Sequence, residues 1–271
     1  MVDGWQWDPT LFRGSAAFYE RGRLPYAPGF ADVLADVLGL DGRGRLLDVG
    51  CGPGLLTRSL APLFTEAVGV DPDAGMLAEA ARLGIANARW VAARAEELPM
   101  GLGELRVVTF GNSFHWTDRD RVAATVFGML EPGGAFVNVS DHKDRPPEPG
   151  PLPPYERIDD LVRSYLGPVQ RAGQGVIRNG TPDREELVLA RAGFVDFQRH
   201  IVPAGPVITR TSDDIVAFVF SLSRSAPHLF GDRLGDFERD LRSLLADAGG
   251  EFAERVPATE MMTWRKPQQL R

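Results

Sequence analysis

The chain has 271 residues, 44% hydrophobic and 25% charged, with a formal net charge of −7, which leaves room for one full α/β core with insertions and a small cap. The acidic balance argues against a broad nucleic-acid footprint, and no apolar run approaches the roughly 20 residues of a membrane helix. Cys51 as the only cysteine excludes an intrachain disulfide and fits a reducing cytoplasm. The N-terminal "MVDGWQWDP" carries no basic apolar leader, so no export signal is expected.

Residues 1–43 read as a loop and two helices, "GSAAFYERG" and "GFADVLADVLG". From Arg45 to Ser140, short β-like runs alternate with helical stretches. "RLLDVG" precedes a helix from about Pro53, and "EAVGVD" precedes another from Asp73. "ARWVAA", "LRVVTFG" and "GAFVNVS" follow, with a helix from Asp118 to Leu130 before the last. That alternation predicts a parallel sheet with helices on both faces and the carboxyl ends of its strands on one edge, where such folds bind ligands.

After Ser140 the prolines of "DHKDRPPEPGPLPPYERI" predict a surface excursion. Helical periodicity returns in "RIDDLVRSYLG" and "REELVLARAG", then a strand in "FVDFQRHIV". "SDDIVAFVFSLSRSA" and "FERDLRSLLADAG" read as helices and "ATEMMTW" as a closing strand. The expected organisation is an N-terminal helical segment over 1–43, a ligand-binding core over 44–140, and remaining core strands over 141–271 with cap insertions around 141–182 and 205–250.

The stretch "LLDVGCGPGLLTRSLA" poses the functional question. Gly50 and Gly52 satisfy the first two positions of a pyrophosphate-binding G-x-G-x-x-G turn, but Leu55 stands at the third. A P-loop would need Gly-Lys-Ser/Thr, and "GPGLLTR" has no lysine. Pro53 also removes a backbone N–H that an anion would use. An uncharged nucleoside is the remaining occupant.

From here the sequence resembles the class I S-adenosylmethionine-dependent methyltransferases, over about Tyr19 to Lys266 and most strongly between Leu46 and Val139. "LLDVGCGPG" matches their first motif. The resemblance implies a Rossmann-like, doubly wound, mostly parallel sheet with an antiparallel last strand, plus a helical cap. It implies S-adenosylmethionine as cofactor, with S-adenosylhomocysteine as its product. The backbone of Gly50, Gly52 and Gly54 would pass under the methionine part, with Asp48 near its amino group. Asp71, ending "VGVD", would accept the ribose hydroxyls, and Met76 would pack on the adenine. Ala95 and Glu96 of "RAEELPM" would read the adenine edge, although Arg94 stands where the family usually has an acid. Asn112, Ser113 and Phe114 of "FGNSFHWTDRD" would lie beneath the cofactor, with His115 and Trp116 as further site candidates. Tyr19 resembles the N-terminal tyrosine that closes over it.

The transfer is an in-line displacement that depends mostly on positioning, and a base is needed only when the acceptor starts protonated. His115 and His142 follow the fourth and fifth strands at the ligand edge and are the candidate bases; each has a non-catalytic reading, as a wall or surface residue. No spacing resembles a metal site. The expected acceptor is a small, largely apolar or aromatic molecule under the cap, whose aromatics include Tyr155, Tyr165, Phe218, Phe220 and Phe230. No nucleic-acid or membrane partner is expected, and either a monomer or a homodimer would serve. Open alternatives are a nicotinamide-dependent oxidoreductase, a cofactor binder that does not methylate, and trans-aconitate-type carboxyl methylation using Arg119 or Arg145.

Overall fold

The computed structural model describes residues 8–142, 150–168 and 184–268; Arg145 lies outside them. Two helices lead, α1 (Ala16–Gly22) and α2 (Phe30–Leu38). Then come β1 (Arg45–Val49), α3 (Leu55–Leu60), β2 (Glu66–Asp71), α4 (Ala74–Arg82), β3 (Ala88–Ala92), β4 (Leu105–Gly111), α5 (Arg119–Met129) and β5 (Leu130–Asp141). The chain continues through α6 (Tyr155–Leu166), α7 (Glu185–Arg191), β6 (Val195–Val202), β7 (Val207–Thr211), α8 (Ser212–Phe220), α9 (Leu234–Asp247), β8 (Glu251–Arg255) and β9 (Thr259–Arg265).

Seven strands form one sheet in the order β3-β2-β1-β4-β5-β9-β6. The first five are mutually parallel, and β9 runs antiparallel between β5 and β6. The central strands are apolar on both sides, as a parallel sheet covered on both faces requires. Leu47, Val68, Val108 and Phe136 join one core cluster with Val122 and Val126 of α5 and Val188 and Leu189 of α7. Their neighbours Leu46, Ala67, Val107 and Val137 join another with Leu34 of α2 and Leu56 and Leu60 of α3. The helix starts are set by side chains: Asp73 accepts hydrogen bonds from the amides of Gly75 and Met76, and Asp118 from that of Arg121.

A third apolar cluster lies off the sheet. It gathers Ile158 and Val162 of α6, Ile215, Val219 and Phe220 of α8, Phe237 and Leu241 of α9 and Phe252 of β8. The expected helices of this cap are joined by a two-stranded antiparallel sheet, β7 with β8, which the helical reading of 205–250 does not contain. The predicted helix over "SDDIVAFVFSLSRSA" also ends early, at Phe220, where Ser221 caps the last turn by bonding back to the Phe218 carbonyl. α1 packs directly on α8. A Cβ built at Gly22 would stand 2.5 Å from the backbone carbonyl of Ala217, so only glycine permits this approach.

Candidate active site

The turn after β1 is held by the next strand. The amides of Gly50 and Cys51 both donate to the Val70 carbonyl, at 2.7 and 3.0 Å, and the Gly52 amide donates to Asp71 Oδ2 at 2.9 Å. Asp71 Oδ1 accepts from the Asp73 amide at 2.9 Å. Gly50 has φ +67°, and a Cβ there would meet Ser113 at 2.5 Å. Gly52 has φ +53°, yet its missing side chain would project into open space. The two glycines thus answer different demands, the first close packing and the second an open path beside the turn.

That path is the meeting place of two cavities at the carboxyl edge of the sheet. The smaller, about 150 Å³, is walled by Asp71, Met76, Ala95, Glu96, Ser113 and Trp116. The larger, about 550 Å³, has Asp48, Cys51 and Asp141 on the sheet side and Tyr155, Arg210, Phe218 and Glu254 on the cap side. Tyr19, Gly50, Gly52, Gly111 and Asn112 line both.

Two carboxylates stand at this junction. Asp48 is 1% exposed, with Oδ2 accepting from the Thr57 hydroxyl at 2.6 Å and Oδ1 from the Thr109 hydroxyl at 2.9 Å. Burial drives its pKa up to about 6, against the pull of those two hydroxyls. Asp71 is likewise pushed up to about 6 by burial, opposed by the amides of Asp73 and Gly52. The Cys51 thiol is buried and raised well above its ordinary range, first by burial and then by the two acids, so it stays protonated.

The structure brings Tyr19, Asp48, Gly50, Gly52, Asp71, Met76, Ala95, Glu96, Asn112 and Ser113 to the cavity walls. Glu96 also accepts the Asp118 amide at 2.8 Å, so it serves the start of α5 as well. Other expected residues stand elsewhere. Gly54 lines neither cavity; its φ is +81° and a Cβ would strike the Trp90 ring at 2.7 Å, so strand packing sets its identity. Phe114 is fully buried between Phe110 and Phe136, at 5.0 and 5.1 Å between ring centroids. The ring of His115 packs on Trp116, and it is Trp116 that faces the smaller cavity. Burial, then the Arg119 charge, pushes His115 down from its ordinary pKa, so it is neutral at pH 7. His142 lies one residue past Asp141 and directs Nδ1 to Glu260, 3.4 Å away and also bonded by Arg199; Asp141 lines the larger cavity.

Several further wall residues lie outside the expected set. Phe12, in the loop before α1, meets the rings of Tyr19 and Trp116 edge-on at 6.5 and 5.9 Å and closes the smaller cavity. Arg23 sits 4.8 Å over the Tyr19 ring and donates to the Ser221 carbonyl. Arg210 and Glu254 come from the two cap strands. Among the described residues, no three His, Cys, Asp or Glu side chains group as a metal site, and no helix is long and apolar enough to cross a membrane.

Residues 46–134 match the family profile described as a methyltransferase domain. The chain is 32% identical over 196 residues to an uncharacterised methyltransferase of Mycobacterium tuberculosis, covering 72% of this chain and 70% of the relative. It is 35% identical over 138 residues to the trans-aconitate 2-methyltransferase of Pseudomonas paraeruginosa, covering 48% and 45%. Its fold resembles that of the YcgJ protein of Bacillus subtilis, with a TM-score of 0.51 and 17% identity over 88% of this chain and 98% of that one. With a close relative over most of both chains and a motif turn seated on a β3-β2-β1-β4-β5-β9-β6 sheet, the chain belongs to the class I S-adenosylmethionine-dependent methyltransferases.

Proposed function

We propose that the protein methylates a small organic acceptor enclosed in the larger cavity, with the adenosine of S-adenosylmethionine in the smaller one and its methionine tail reaching across the glycine turn. The observation that carries this reading is the pair of cavities sharing Tyr19, Gly50, Gly52, Gly111 and Asn112 as a common wall. When bound, the cofactor supplies a methyl group made electrophilic by its sulfonium sulfur. The residues fit such a ligand: Gly52 leaves open the space a Cβ would fill, and Asp71 presents a carboxylate at a cavity wall.

In this reading Asp71 accepts the two ribose hydroxyls, Met76 covers the adenine, and Ala95 and Glu96 border its edge. Arg23 holds the carboxylate of the amino-acid tail. It lines the larger cavity beside the turn and has no carboxylate partner among the described residues. Asp48 faces the tail's ammonium group, with its orientation fixed by Thr57 and Thr109. Phe12, Tyr19 and Trp116 exclude water from the adenosine end. A volume of about 550 Å³ suits a small-molecule site, which typically spans about 300 to 1,000 Å³. Neither histidine lines either cavity, and we assign the proton-accepting role to neither.

Calorimetry of the purified protein with S-adenosylhomocysteine and with NADH tests the reading. Binding of the first and not the second is expected, with loss of binding in a folded Gly52→Val variant. Failure of the wild-type protein to bind S-adenosylhomocysteine, or unchanged binding by Gly52→Val, overturns it.

A further inference from the structure

The cap side of the larger cavity is a built polar wall. Arg210 of β7 and Glu254 of β8 form an ion pair at 3.1 Å whose side chains are 5% and 4% exposed. The guanidinium also donates to the carbonyls of Gly22 and Asp214, each at 2.9 Å, which anchors it. The Tyr155 hydroxyl donates to the other Glu254 oxygen, and the Tyr155 ring meets that of Phe218 edge-on at 5.7 Å. Tyr155, Arg210, Phe218 and Glu254 all face the same cavity.

The charges of this wall cancel. Arg210 is neutralised by Glu254 and Arg224 by Asp159 at 2.8 Å; nearer the turn, Arg58 pairs with Glu20 at 2.7 Å. Arg23 is committed to the cofactor tail in the reading above, on which the present argument rests. Asp48 and Asp141 on the sheet side add carboxylates and no cation. A second carboxylate on the acceptor would therefore enter a desolvated site without a counter-charge, which is costly. A neutral donor fares differently. Glu254 spends one lone pair on Tyr155 and one on Arg210, and a carboxylate has about four such sites.

We propose that the acceptor is a ring-bearing molecule whose part facing the cap carries no carboxylate and donates a hydrogen bond, from a hydroxyl group, to the Glu254–Arg210 pair, with its ring against Tyr155 and Phe218. Polycarboxylic acids are thereby disfavoured, even though a relative is named for trans-aconitate. The wall sets specificity and takes no part in the displacement.

Two probes matched in shape test this on the full chain saturated with S-adenosylhomocysteine: 4-(hydroxymethyl)phenol and 4-hydroxybenzoate. Calorimetry should rank the hydroxymethyl compound first, with the acid on the order of tenfold weaker or more, as expected for a hydrogen bond to a charged group against an unpaired buried charge. In Glu254→Gln the carboxylate partner of Arg210 is gone, so the preference should turn toward the acid by a similar factor. A wild-type preference for the acid, no binding of the hydroxymethyl probe, or an unchanged ranking in a folded Glu254→Gln overturns the proposal. The wild-type ranking decides alone should the variant fail to fold. Binding of S-adenosylhomocysteine, measured first in the same samples, separates failure of this inference from failure of the methyltransferase site.

Discussion

If Asp71 holds the ribose, cofactor affinity must follow its ionisation. The residue is 9% exposed and burial raises its pKa to about 6. Only the ionised form offers full acceptors to two hydroxyls, while the protonated form spends one oxygen as a donor. For binding that requires the ionised form, apparent affinity falls by the factor 1 + 10^(pKa − pH), which is about 11 at pH 5 and about 1.1 at pH 7. Affinity for S-adenosylhomocysteine should thus rise at least roughly tenfold between pH 5 and pH 7, with its bend near pH 6. Binding at pH 6 should release about half a proton, visible as a dependence of the calorimetric enthalpy on buffer ionisation. Asp48 titrates in the same range, so the discriminating variant is Asp71→Asn. It keeps the shape, removes the titration, and should bind more weakly at pH 7.5 by roughly 10 to 150 fold, the worth of hydrogen bonds to a charged group. A flat profile in the wild-type protein, or an unchanged bend in a folded Asp71→Asn, refutes the assignment.

Asp48 bears on the stability of the free protein. Its folded-state pKa lies above the unfolded value, so its favourable contribution is present below about pH 4 and is lost as the pH rises through about 6; the unfolding free energy of the wild type relative to Asp48→Asn should fall between pH 4 and pH 7, as read by urea melts. Gly22→Ala forces a methyl to 2.5 Å from the Ala217 backbone and should cost about 1 to 3 kcal/mol by thermal unfolding. His115→Ala should lower kcat by less than about tenfold, below the 10² typical of a lost general base; a larger loss with intact cofactor binding would return catalysis to His115.

The sheet and the glycine turn were legible because their demands are local. An apolar strand with Asp48 next to its end, glycines in the turn after it and an acid at the end of β2 are readable within 30 residues. Gly54 and Phe114 were not: Trp90, 36 residues on from Gly54, sets the space there, and a short 3₁₀ turn sends Phe114 inward to Phe110 and Phe136. The cap strands escaped notice because β7 and β8 are each five residues long, interrupted by charges, and separated by two helices. Their buried Arg210 and Glu254 make sense only as partners, a pairing that spans 44 positions. Phe12 belongs to a loop whose neighbours are set entirely by the closed fold.

The contact at Gly22 joins parts that the sheet by itself would leave independent. α1 bears Tyr19 and leads into Arg23, and it is seated on α8 with no room for a methyl between them. Arg23 reaches the end of α8 through the Ser221 carbonyl, and Arg210 of the cap grips the Gly22 carbonyl. On the proposed assignment, the covering of the methyl donor would therefore be carried by the element that borders the acceptor cavity. In the proposed reading donor and acceptor would share one door, since exchanging the spent donor would shift the wall beside the product. Redesigning the cap for a new acceptor is then expected to retune the grip on the donor in the same stroke.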